Sequence, residues 1–164
     1  PVTTHLALQD VKKNISTKKI IQNVLTINSF FKKKLKRKPI FAITGLNPHC
    51  ETNKKISEEK KIIIPAINKL KKKNININGP FPADTLFLKN NIKKFNIVIG
   101  MYHDQVLTPI KTLHEFNAIN VTLGLPFLRI TPDHGPNNSM LGKNKSNPAS
   151  LIEVFKFLNQ IRGN

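Results

Sequence analysis

The sequence predicts an α/β fold: a partial chain with a largely parallel sheet flanked by helices. Three observations carry this. Short apolar runs of strand length, such as Ile40–Ile43 and Ile97–Met101, alternate with longer segments whose apolar residues recur every three or four positions. The runs are apolar throughout, as buried strands are, rather than alternating. Several of them end in polar or Gly/Pro-rich stretches, where ligands sit in open α/β sheets.

The elements follow in order. Residues 1–8 read as a strand with a polar end that carries His5. Ser16 is an N-cap for a helix over about 17–35, whose apolar face is Ile20, Val24, Ile27, Phe31 and Leu35. Lys32–Lys38 and Pro39 end it, with cations at the negative end of the helix dipole. Ile40–Ile43 is a buried strand running into Gly45-Leu46-Asn47-Pro48-His49. Ser57 caps a helix with Glu58 and Glu59 in its first turn, and Pro65 is expected to kink it. Residues 75–78 form a short strand and 79–84 a rigid loop, after which a helix runs to about Phe95. Ile97–Met101 is a strand, Lys111 lies on the short helix after it, and 118–123 is another strand. Asn147 and Pro148 start the last helix as N-cap and first helical residue, with Leu151, Val154, Phe155, Leu158 and Ile161 on its buried face.

With 164 residues, the chain suffices for one domain with a real core. It begins Pro1-Val2 without an initiator Met, so it is expected to be one half of a longer chain. No apolar stretch reaches the roughly 20 residues needed to span a bilayer, and the single Cys50 excludes an internal disulfide; a cytoplasmic setting is expected. The charge is +18. That balance suits a polyanion, and a basic nucleic-acid-binding domain is the alternative reading. The excess is mostly Lys at helix ends, with little aromatic interleaving. AT-rich codons specify Lys, Asn and Ile together, which accounts for the charge without nucleic acid. No GxGxxG, P-loop, GxSxG or CxxC occurs.

The strand ending at Met101 leads directly into Tyr102-His103-Asp104-Gln105, an imidazole, a carboxylate and an amide side by side at a strand end. His49 occupies the same position after the strand at 40–43. Taken singly, each histidine is as readily a surface or core residue as a ligand.

The blocks GLNPH, NGPFPADTLF, MYHDQ, NVTLGLPFLR and DHG occur in this order. Together they resemble the C-terminal half of the 4-hydroxythreonine-4-phosphate dehydrogenase family, enzymes of pyridoxal phosphate biosynthesis. The resemblance covers essentially the whole chain. It implies a fold similar to isocitrate and isopropylmalate dehydrogenases, with residues 1–164 forming a single α/β unit of a longer two-domain enzyme. It implies NAD or NADP as hydride acceptor, and a divalent metal (zinc, magnesium or cobalt) held by His5, His49 and His103. It implies substrate contacts from Lys111, Asn120 and Arg129 to a phosphorylated amino acid. It also implies a homodimer with the metal site near the subunit interface, and no membrane partner. Asp84 and Asp104 are the catalytic candidates, near the metal but not bound to it. His114 and His134 keep a structural reading. The family's remaining substrate contacts lie in the other half, so residues 1–164 alone are expected to be inactive, and an inactive remnant of the enzyme is the further alternative reading. The family's glycine-rich segment after the NPH motif is replaced here by Cys50-Glu51-Thr52-Asn53-Lys54-Lys55-Ile56.

Overall fold

The computed structural model of the chain describes residues 1–51, 57–135 and 138–163. Three parallel strands, β1 (Phe41–Thr44), β2 (Ile77–Phe81) and β3 (Ile97–Ile99), form a sheet in the order β2-β1-β3. Phe41, Ala42, Ile43 and Thr44 of the central strand are all fully buried. Burying a Phe or Ile side chain contributes about 1.5–3 kcal/mol. The C-terminal end of β1 is therefore a stiff support for the loop that follows it.

Helix α1 (Leu8–Asn14) precedes α2 (Thr17–Lys34), which Ser16 caps by accepting from the Lys19 N–H at 3.2 Å. Ile20 and Val24 of α2 join Ile63, Ala66, Ile67 and Leu70 in the core around β1. The last three of these belong to α3 (Ile64–Lys71), which packs on α2 and β2. Lys32, Lys33 and Lys34 at the end of α2 are exposed, as a solvated helix terminus requires.

The remaining elements depart from the sequence reading in instructive ways. Residues 1–8 are not a strand of the sheet. Val2 and Thr3 donate to the carbonyls of Gly100 and Met101, at 2.7 and 3.2 Å, but His5 then takes φ +52 and the chain turns into α1. The unpredicted α1 is short and buries only Val11, so it shows no periodicity in sequence. The helix from Ser57 winds first as a wide π turn over Glu59–Ile63 and resets into α3, with Pro65 in the first turn. Pro65 has no N–H to donate backwards, so the preceding turn cannot close in the ordinary α pattern.

Strand β2 continues through Gly79-Pro80, which the sequence placed in a loop; as an edge strand it tolerates proline. The Cβ of any other residue at Gly79 would lie 2.4 Å from the Ile43 carbonyl, with φ at +131. The expected helix to Phe95 is two short ones, α4 (Ala83–Leu86) and α5 (Lys89–Ile92). The Asn91 side chain donates to the Thr85 carbonyl at 2.8 Å and occupies an acceptor that a continuous helix would use.

Not all strands are parallel. Strands β4 (Ile119–Thr122) and β5 (Arg129–Pro132) form a separate antiparallel ribbon, because the six residues between them suffice for a hairpin but not for a crossover. Helix α7 (Ala149–Arg162) packs against this ribbon. It starts one residue later than predicted: Asn147 Oδ1 accepts from the Ala149 N–H at 2.9 Å, and Pro148 is the N-cap. Its buried side holds Ser150 and Val154, and the Phe157 ring lies 6.4 Å from that of Phe30. Leu151 and Phe155, expected inside, are exposed.

Candidate active site

Helix α6 (His103–His114) starts two residues after Met101, so His103 and Asp104 open its first turn. The N-terminal segment lies alongside. Thr3 Oγ1 donates to the Met101 carbonyl at 2.8 Å, which holds His5 beside His103 with ring centroids 5.6 Å apart. His103 Nδ1 meets Asp104 Oδ1 at 2.7 Å. A carboxylate on one ring nitrogen favours the tautomer in which the other nitrogen is free to accept.

The NPH turn is built on a buried carboxylate. Glu59 Oε1 accepts from the N–H groups of Leu46 and Asn47 at 2.9 and 2.8 Å, and the Asn47 amide donates to Glu59 Oε2 at 3.0 Å. Burial pushes the Glu59 carboxyl up, but the N–H and side-chain amide of Asn47, the backbone of Glu59 itself and the Ser57 hydroxyl outweigh it and hold it below the usual range. His49 and Cys50 then sit at φ +55 and +58, a region that favours glycine. Cys50 thus holds, without being glycine, a conformation that glycine takes freely; positions 52–56 of the segment after the NPH motif lie outside the described residues. The Cys50 thiol is raised first by burial, against a hydrogen bond from Gly45, and further by the charges of Glu59, Asp84 and Glu51.

Lys12 on α1 bonds Glu58 Oε1 at 2.8 Å, and the Asn47 amide reaches Glu58 Oε2 at 2.9 Å. These two contacts, Lys12 first, hold the Glu58 carboxyl at about 2 against an ordinary 4.5. We expect an NMR carboxyl titration of Lys12→Ala to show Glu58 moving up from about 2 toward 4.5. A Glu58 midpoint unchanged by the substitution would remove Lys12 as the cause.

Lys111, two turns into α6, pairs with Asp133 Oδ2 at 2.7 Å and also donates to the Asp133 carbonyl. Asn120 on β4 and Thr131 on β5 are partners in register, as are Thr122 and Arg129. Residues two apart on a strand share a face, so Asn120 and Arg129 lie on one face of the ribbon. Arg129 Nη1 donates to Thr122 Oγ1 at 3.2 Å. The loop bearing Asp133 is held by Ser150, which sequence reasoning missed. It is 1 % exposed, accepts from the Asp133 N–H at 3.0 Å and donates to the Ala118 carbonyl.

A cavity of about 490 Å³ gathers His5, His103, Asn120, Asp133 and His134. His134, given a structural reading from sequence, therefore lies on the site, whereas His114 is exposed at the end of α6. Asp84 and Asp104 line a neighbouring cavity of about 530 Å³ with Tyr102 and Gln105. Among the described residues, no group of three His, Cys, Asp or Glu side chains stands close enough to hold a metal. His5 and His103 meet; His49 does not join them within one chain.

A family model described as pyridoxal phosphate biosynthetic protein PdxA matches residues 1–158. The chain belongs to the PdxA family. A 4-hydroxythreonine-4-phosphate dehydrogenase of Sulfurihydrogenibium sp. is 47% identical over 157 residues, covering 94% of this chain and 48% of the relative. The crystal structure of the Klebsiella pneumoniae enzyme of that name superposes with a TM-score of 0.83 at 29% identity, over 98% of this chain and 49% of that one. That of Burkholderia phymatum gives 0.80 at 32% identity, with the same coverage. This PdxA-family chain spans about half the length of the curated relatives it matches. No helix among its described residues is long and apolar enough to cross a membrane.

The donor chemistry of this PdxA-family chain fits a divalent ion through His5 and His103. Imidazole nitrogens bind Zn²⁺ at about 2.0–2.1 Å, so rings 5.6 Å apart are compatible with facing one ion.

Proposed function

We propose that the chain supplies the metal and substrate contacts of an NAD- or NADP-dependent dehydrogenase. The reaction oxidises and decarboxylates 4-phosphooxy-L-threonine to 3-amino-2-oxopropyl phosphate, in pyridoxine phosphate biosynthesis. The observation that carries this reading is the cavity where His5 and His103 meet Asn120, with Lys111 anchored beside it through Asp133. Family membership and the relatives' names support the reaction. The parallel sheet flanked by helices supports an isocitrate-dehydrogenase-like architecture for the whole enzyme.

His5, His49 and His103 would hold zinc, magnesium or cobalt. Bound there, the ion supplies Lewis-acid polarisation of the substrate oxygen. Lys111 and Arg129 bind the phosphate and carboxylate of the substrate, the groups for which charge-assisted hydrogen bonds are strongest. Asp104 fixes the His103 ring through Nδ1, and Asp84 and Asp104 are the carboxylates that would orient a ligand imidazole or take part in proton transfer. The separation of His49 from the other two supports a homodimer whose metal site draws on both subunits.

The test is a chimera in which this chain follows the missing half of the Sulfurihydrogenibium relative, supplied with 4-phosphooxy-L-threonine, NAD⁺ and Zn²⁺, Mg²⁺ or Co²⁺. NADH should form. Lys111→Met should raise KM about 10–100-fold, since a hydrogen bond to a charged group contributes roughly 1.5–3 kcal/mol. A folded chimera that forms no NADH with any of the three metals, while the intact relative does, would sink the reading.

A further inference from the structure

Gln105 ties together the two strand ends that lead to His49 and His103, and the His5 segment joins them through Met101. It is only 9 % exposed, and both polar atoms of its amide are hydrogen-bonded. Oε1 accepts from the Met101 N–H and from Thr44 Oγ1, both at 2.7 Å, and Nε2 donates to the Gly45 carbonyl at 2.7 Å. The orientation of the amide is fixed chemically, because an N–H can only donate and a carbonyl can only accept. The three contacts lie on two pieces of the site. Thr44 and Gly45 end β1 and lead into the turn that carries His49. Met101 ends the β3 run and precedes His103. The carbonyl of the same Met101 receives Thr3 Oγ1 and the Thr3 N–H, two residues before His5. Backbone packs tightly around this amide: a Cβ at Gly100 would lie 2.5 Å from Val106 Cγ1 and 3.4 Å from Gln105 Oε1.

We infer that Gln105 is a positioning residue, whose side-chain amide sets the placement of the His49, His103 and His5 segments relative to one another. It is not catalytic, since it acts through Gly45, Thr44 and Met101 rather than on substrate. The inference rests on the metal reading for its functional meaning, but the geometry it claims is measurable without metal. Neither leucine nor glutamate replaces the group. Leucine offers no polar atom, and an ionised glutamate turns an acceptor toward the Gly45 carbonyl.

The experiment compares the parent chain with Gln105→Leu, Thr44→Val and Thr44→Ser. Thr44→Val is nearly isosteric and removes one of the three bonds, so it serves if Gln105→Leu does not fold; Thr44→Ser restores the hydroxyl. In metal-free protein, the nuclear Overhauser contact between the His5 and His103 rings is read by NMR. It should be lost in Gln105→Leu, weakened in Thr44→Val and regained in Thr44→Ser. Titration with Co²⁺ should then show about a 10–100-fold loss of affinity for Gln105→Leu, the range typical of groups that orient metal ligands. A folded Gln105→Leu or Thr44→Val variant that keeps the full ring contact overturns the inference, whatever the metal does. A parent that shows the ring contact but never binds Co²⁺ overturns the metal reading instead and leaves the positioning claim to the NMR result.

Discussion

Glu59→Leu is expected to lower stability by about 3–5 kcal/mol and to release the NPH turn. Two part-buried N–H groups, of Leu46 and Asn47, point at this carboxylate, and leucine offers them nothing. An unpaired buried donor loses roughly 1–3 kcal/mol, and here there are two plus the Asn47 amide. For a chain of this size that is a fall in melting temperature of about 10 °C. Glu59→Gln separates packing from charge. The folded Glu59 carboxyl lies below its ordinary 4.5, so its contribution is fully present above that pH and is lost as pH falls through the folded value. Replacing it with the neutral amide should flatten that part of the acid limb. Thermal melts across the acid range check both variants; a Glu59→Leu protein as stable as the parent would show that the turn does not depend on the carboxylate.

The sequence carried the sheet strands and the long α2 because their signals are local: an unbroken apolar run, and a stripe repeating over eighteen residues behind a Ser cap. It misjudged segments whose form is set by distant partners. Val2 and Thr3 are extended only because Gly100 and Met101 lie beside them. The separate ribbon of β4 and β5 was hidden because a short apolar run does not announce which sheet it joins or whether its partner runs parallel or antiparallel. Part of the site was readable as strand-end histidines, and Asp104 was legible as a neighbour of His103. Glu59 and Ser150 were not, since in sequence a glutamate or a serine on a helix reads as solvated, and Gln105 stood out in the strand-end cluster without its buried bonds being legible. Their roles come from burial, which no local pattern announces.

His5→Ala and His103→Ala are each expected to weaken Co²⁺ or Zn²⁺ binding by at least about 100-fold, beyond the effect of groups that merely orient a ligand. His114→Ala, exposed at the end of α6, should change nothing and serves as the control. The sharper result concerns His49. Among the described residues of one chain His5 and His103 stand together with no third ligand grouped beside them, so on the proposed reading His49 comes from a second copy. His49→Ala should then bind as poorly as His103→Ala when each is alone. Mixed, dissociated and reassembled, the two variants form heterodimers with one complete site, made from His5 and His103 of one chain and His49 of the other. Random pairing of a two-fold dimer would recover about a quarter of the parent's sites. Metal analysis after gel filtration reads this directly. No recovery on mixing, with both variants folded and dimeric, would mean that the three histidines do not share an ion across the interface.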